Sequence, residues 1–435
     1  MNLVSYNQFL LLAKHALASF CMMLFAPLCF ANLDITNLES QFRSLYKEEL
    51  ETLSTCSNPV SSEMRTSRRS QLTSGEIGEI GEIKVCSDTL RNDENAPYIL
   101  LSSLHDSSNT SVVVLLHGLS DSPYYLRSIA EHLHNKGHTV IVPLLPGHGK
   151  KNADQDMQDP NLMERWRVHL EDIMNLAYQS GENVYIGGFS AGGTLATDYL
   201  LRHALSKDIN ASNANNDKND KNDSNDRNEL EKVRGLILFS GALQLSKSAE
   251  AMSSIWGMKK LAVWLDGDFK SQGPNPYRYP KVASYSGLLL MDVIEDIRDT
   301  LEDDKRTAVL EIPIFAAHSL ADALVPYDGV EALLASINSS HTEFKIDKAF
   351  DVCHRDILLS PVQMINFEFD KTQVNQSERC AVPKANPQHN AMLFMLEYFV
   401  KEHSLQEHSL QEHSVKENSL HQDSAQAQPA QENRK

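Results

Sequence analysis

From Tyr98 onward the chain alternates short apolar runs with longer amphipathic segments, and this alternation limits the available folds more than any other feature. The order is YILLSSL, VVVLLHG, the helical YYLRSIAEHLHNKG, TVIVPLL, the helical MERWRVHLEDIMNLAYQSG, and NVYIGG. Short apolar, β-branched runs read as buried strands, and apolar residues repeating at helical spacing read as one-sided helices. Strands joined through helices imply an α/β architecture with a mostly parallel sheet and helices on both faces.

The last of these strands runs directly into GGFSAGG and then into a helical pattern. A tight strand-to-helix turn with glycine on either side of a serine exposes that hydroxyl at the end of the sheet. The candidate nucleophile is Ser190. A serine hydroxyl needs an imidazole base, and the base needs a carboxylate to hold its tautomer. On a sheet of this kind these partners follow in the order acid, then histidine. The strand-like IPIFAAHSLADALVPYDG carries Asp322 in the loop that ends it, and EFKIDKAFDV leads to Cys353 and His354. Asp328 suits the start of the helix VEALLASI better than it suits this role. His318 lies inside a strand, and His389 precedes the last helix.

With these motifs in hand, the chain resembles the α/β-hydrolases of the carboxylesterase and monoacylglycerol-lipase-like group. The resemblance rests on LLHGLSDSPYYLRSIAEHL, PLLPGHG, GGFSAGG, SLADALVP and the late His354, and it covers roughly residues 98 to 400. It implies a small helical cap and an oxyanion hole built from the backbone amides of Leu119 and Ala191. His117 and His148 are expected to shape the loops around it. The implied function is hydrolysis of short or medium acyl esters or monoacylglycerols, with a small-molecule ester as substrate and no metal or organic cofactor. Amide or thioester cleavage would use the same machinery. From another class, a noncatalytic envelope protein binding lipid or peptide on this fold is the alternative. The chain departs from the pattern at an Asn/Asp-rich insert, at Cys353 before the histidine, and in the polar text that follows His354.

Around this core the expected organisation is a signal peptide at 1–31, an N-terminal helix with an irregular extension at 32–97, and core segments at 98–242 and 309–402. A cap is expected at 243–308. Lys14 and His15 precede ALASFCMMLFAPLCF, and cleavage is expected after Ala31. An uncleaved N-terminal anchor is the alternative. No later run is apolar over the ~18 residues a span needs, so the mature chain is expected to lack a transmembrane helix. The protein is therefore expected to be secreted or periplasmic. That leaves Cys56, Cys86, Cys353 and Cys380 for an oxidising compartment, and four cysteines allow about three connectivities. The near-neighbour pairing, Cys56 with Cys86 and Cys353 with Cys380, is taken as the expectation.

Helical spacing is expected over 34–53, and the repeated Gly-Glu-Ile before Lys84 reads as an irregular connection. The tract 206–232, rich in Asn, Asp and Lys, has little to bury and is expected to be disordered. It leaves the sheet at the strands' N-terminal edge, away from the reactive end. The tail 403–435 repeats EHSLQ, but a five-residue step does not keep its histidines on one helix face, so a disordered extension is expected rather than a metal site. The net charge of −18 argues against nucleic acid as a partner.

Overall fold

The computed structural model describes residues 35–56, 81–102, 111–213, 230–244, 269–302, 311–337 and 339–404. The segment 1–31 expected as a signal peptide, the apolar residues from Met252 to Trp264 expected in the cap, and the tail repeat from Leu405 onward lie outside the described residues. By compactness the chain divides between Ser40 and Gln41, within helix α1 (Ile35–Ser44). The following description concerns residues from Gln41 on.

Among the described residues, eight strands form one sheet. In spatial order they are β2 (Gly81–Lys84), β4 (Tyr98–Leu101), β6 (Thr139–Val142), β5 (Ser111–Leu116), β7 (Asn183–Phe189), β8 (Val233–Phe239), β9 (Ile314–Ser319) and β10 (His341–Ile346). Only β4 runs against its neighbours, and all other pairings from β6 to β10 are parallel. Strands β4, β5 and β6 are buried along their whole length, as expected of a sheet covered on both faces. A two-residue ladder, β1 (Leu53–Ser54) with β3 (Cys86–Ser87), lies apart from this sheet.

Helix α2 (Arg127–Asn135) and the final helix α7, residues 389–404, cover one face. There Ile129 and Leu133 pack with Val113, Leu115, Tyr185, Phe315 and Phe399. Helices α3 (Leu162–Ser180), α4 (Ala191–Asn213) and α5 (Ser284–Glu302) pack together, and α6 (Asp328–Ser336) touches α5. Because β5 lies between β6 and β7, chain connections diverge to either side of it, and the C-terminal ends of β5, β7, β9 and β10 surround the resulting crevice.

Three expectations change. Helix α1 ends at Ser44, not near Leu53, because the chain turns so that Tyr46 and Glu49 reach the PLLPGHG loop: Leu144 N–H donates to the Tyr46 hydroxyl and Gly147 N–H to Glu49. The last Gly-Glu-Ile copy is the edge strand β2, whose Ile83 is buried. Helix α4 continues to Asn213, into the tract expected to be disordered, since extending a formed helix costs far less than nucleating one. Residues 214–229 of that tract lie outside the described residues. Within the segment 243–308 expected as a cap, residues 284–302 form a helix along α4, where Leu290, Met291 and Ile294 meet Ala191 and Leu119.

Candidate active site

Strand β7 ends at Phe189 and α4 begins at Ala191, so the whole reversal falls on Ser190. Its φ is 53°, in the left-handed region that costs a non-glycine residue energy. The turn is held from both sides. Ser190 N–H donates to Phe239 O at 3.0 Å, and Ser190 O accepts from Ala242 N–H at 3.1 Å and Thr194 N–H at 3.2 Å. The flanking glycines follow from close approach rather than from flexibility. A Cβ on Gly188 would stand 2.4 Å from Leu116 O, and one on Gly192 would stand 2.2 Å from the same oxygen.

His354 Nε2 lies 2.9 Å from Ser190 Oγ, and its Nδ1 lies 2.5 Å from Asp322 Oδ2. With Nδ1 protonated and donating to the carboxylate, Nε2 keeps a lone pair toward the hydroxyl. The Asp322 side chain is fully buried. Burial alone would push its carboxyl up, but His354 and the Val325 N–H together hold it below the usual carboxylate range. Its Oδ1 accepts from the amides of Leu324 and Val325 at 2.9 and 3.0 Å, which fix the carboxylate plane. Asp328, the competing carboxylate, sits in the first turn of α6. His318 donates through Nε2 to Val325 O at 3.1 Å, and that nitrogen stands 3.9 Å from Asp322 Oδ2. His389 opens α7, 3.2 Å from Leu358 O.

Two contacts stitch the acid loop to the histidine loop: Leu320 N–H donates to Ile346 O at 2.9 Å, and Ser319 Oγ to Val352 O at 2.6 Å. A disulfide joins Cys353 to Cys380, and another joins Cys56 to Cys86. The His354 ring rests on Phe189, centroids 4.7 Å apart.

The Leu119 amide belongs to the loop after β5. Gly118 O, on the same peptide group, is held twice, 2.9 Å from His117 Nδ1 and 3.0 Å from the Asp121 N–H that donates to it. A trans peptide directs its N–H opposite to its C=O, so fixing this carbonyl aims the Leu119 N–H. His117 Nε2 accepts from Leu145 N–H at 3.1 Å, which assigns the remaining proton to Nδ1. Burial, and then the neighbouring His148, hold the His117 imidazole far below its usual range, so it is a neutral donor. His148 Nε2 lies 2.7 Å from Leu119 O. Ala191, at the start of α4, presents the second expected amide from a helix N-terminus.

Sequence reasoning did not single out Phe189, Asp121 or the segment 274–280 that fastens the Leu119 loop through a Tyr279 N–H to Ser120 O bond of 2.7 Å. No periodicity or motif marks that segment, because its partners are distant in sequence.

The family model described as alpha/beta hydrolase fold matches residues 111–352, more than half of the chain. A thermostable monoacylglycerol lipase from Bacillus sp. (strain H-257) is 33% identical over 91 residues, which are 21% of this chain and 35% of the lipase. The chain thus spans about a third of the length of that relative. Among solved structures, a monoacylglycerol lipase from Paleococcus ferrophilus aligns at 15% identity over 67% of this chain and 94% of its own, with a TM-score of 0.42. Esterase B from Lactobacillus rhamnosis aligns at 13% identity over 81% of this chain and 97% of its own, with a TM-score of 0.44.

Proposed function

The chain belongs to the alpha/beta hydrolase fold family, and from that premise we propose that it is a serine hydrolase that cleaves carboxylic esters by way of an acyl-enzyme. The observation that carries the reading is the continuous hydrogen-bond path from Ser190 Oγ through His354 to buried Asp322.

In the proposed mechanism Ser190 Oγ attacks the ester carbonyl carbon while its proton passes to His354 Nε2. The carbonyl oxygen takes up negative charge opposite the amides of Leu119 and Ala191. Collapse of this intermediate breaks the bond to the alcohol, which leaves with the proton from His354. Water then repeats the sequence on the acyl-serine, its proton going to His354 and its oxygen to the acid product. Asp322, kept ionised, holds the Nδ1–H tautomer and offsets the charge of the imidazolium formed on the way.

For substrate, short or medium acyl esters or monoacylglycerols agree with the name of the lipase relative and with Leu119, Leu290, Met291 and Ile294 clustered beside Ala191. The two disulfides support a secreted or periplasmic protein, with Ala31 as the proposed cleavage site. No helix among the described residues is long and apolar enough to cross a membrane. A panel of nitrophenyl esters of increasing acyl length tests the assignment. Turnover with a maximum at short or medium chains is expected, and absence of turnover across the panel contradicts it.

A further inference from the structure

Consecutive carbonyls of the loop that carries the Leu119 amide are held by different parts of the chain. Gly118 O is fixed by His117 and the Asp121 N–H, Leu119 O lies 2.7 Å from His148 Nε2, and Ser120 O accepts the Tyr279 N–H at 2.7 Å. Leu119 O can only accept, so its contact places a proton on His148 Nε2. The peptide that bears the Leu119 N–H is therefore fixed directly, and the two peptides after it are fixed as well.

The last two of these holds lead to Tyr279. The bond to Ser120 is direct. The other runs through the turn 147–150, which carries His148 and has glycines at φ 80° (Gly147) and 68° (Gly149), a backbone with little conformational preference of its own. The Tyr279 hydroxyl closes this turn, donating to Gly147 O at 2.8 Å and accepting from Lys150 N–H at 3.0 Å. Its ring lies nearly parallel to the His148 ring, with centroids 6.2 Å apart and planes inclined by 26°.

Tyr279 is itself held firmly. It is 1% exposed, Phe269 meets its ring edge-on at 5.3 Å, and the Arg91 guanidinium stands 5.6 Å from the ring centroid. The same guanidinium donates to the carbonyls of Arg278 and Asn275, which ties down the segment that presents the tyrosine.

We propose that Tyr279 is a positioning residue for the oxyanion hole. Its hydroxyl acts through the turn 147–150 and His148, its amide acts through Ser120, and together they keep the Leu119 N–H directed at the oxygen that gains charge. The proposal rests on the ester-hydrolase reading. A donor fixed in advance needs no reorganisation as charge develops, so loosening it weakens the transition state and leaves ground-state binding nearly unchanged.

Tyr279→Phe keeps the ring and the N–H and removes only the hydroxyl. On a nitrophenyl ester, kcat is expected to fall about tenfold, less than for loss of a whole oxyanion donor, with KM within about twofold of the parent. A trifluoromethyl ketone reads the hole itself: Ser190 Oγ adds to its carbonyl carbon, the serine proton passes to His354, and the ketone oxygen becomes an oxyanion. Its affinity should fall by the same factor as kcat. His148→Leu removes the donor to Leu119 O, and combining it with Tyr279→Phe should lower kcat by less than the product of the two separate effects, because both act on one path. Tyr185→Phe is the control, deleting a buried hydroxyl that donates to Val400 O at 2.9 Å. It should lower Tm and leave kcat within about twofold.

Parental kcat and ketone affinity in Tyr279→Phe, a change in KM alone, full additivity with His148→Leu, or an equal kcat loss in Tyr185→Phe overturns the positioning role and leaves the hydrolase reading standing. A Tyr279→Phe chain that circular dichroism shows to be unfolded also overturns it, by assigning the hydroxyl to stability. A folded parent that neither turns over esters nor binds the ketone overturns both.

Discussion

Cys353, the residue immediately before His354, is bonded to Cys380 across a sequence separation of 27. A loop of that size gives stabilisation of about 3 to 4 kcal/mol in the chain-entropy model. The tether also anchors one end of the turn that holds His354 against Ser190. Mild reductant should therefore slow ester turnover before far-UV circular dichroism changes. Simultaneous loss of both signals would mean that the bridges support the whole sheet and not this turn.

His117 is expected to act through the peptide it holds. Replacing it with Phe removes the Nδ1 contact to Gly118 O and the acceptor for Leu145 N–H. A misdirected Leu119 amide should lower kcat by about 10- to 100-fold, below the full loss of an oxyanion donor, with KM changed less. A KM increase at unchanged kcat would assign His117 to binding instead.

Asp322→Asn preserves shape but presents an amide to His354 Nδ1 and disfavours the tautomer that accepts from Ser190. Turnover should fall by up to about 10⁴. Asp328→Asn, in the first turn of α6, should change turnover by less than about twofold, since surface substitutions of this kind rarely exceed 0.5 kcal/mol. The reverse ranking would show that the other carboxylate orients the imidazole.

Asp356 supplies a pH signature. Burial raises its carboxyl from 3.8 to about 6, so the folded state holds the proton more tightly than the unfolded chain does. Stability from this group is full below the unfolded value and declines as pH rises from near 4 to near 6, by up to about 3 kcal/mol. Asp356→Asn, which can still accept from Lys384 N–H, should raise Tm relative to the parent more at pH ~8 than at pH ~4.5. An equal change at both values would mean the carboxylate is solvated in the folded state.

The candidate catalytic residues were legible because each lies at a strand end marked by local text. GGFSAGG needs glycine where Gly188 and Gly192 meet Leu116 O, Asp322 follows the apolar strand IFAAHS, and His354 follows the alternating strand HTEFKI. What escaped depends on long-range closure. Helix α1 stops early because Tyr46 and Glu49 are recruited by a loop about a hundred residues later. The edge strand β2 hides in a Gly-Glu-Ile repeat because pairing with β4, and the Glu82–Arg127 ion pair, define it rather than composition.

The central claim is that Ser190 is the nucleophile, and a fluorophosphonate probe measures this directly. The native chain should be labelled once, with mass mapping placing the adduct on the peptide that contains Ser190. Ser190→Ala should abolish both labelling and ester turnover while circular dichroism stays unchanged, since only the hydroxyl is removed. Labelling at another residue, or ester turnover retained in folded Ser190→Ala, would contradict the account.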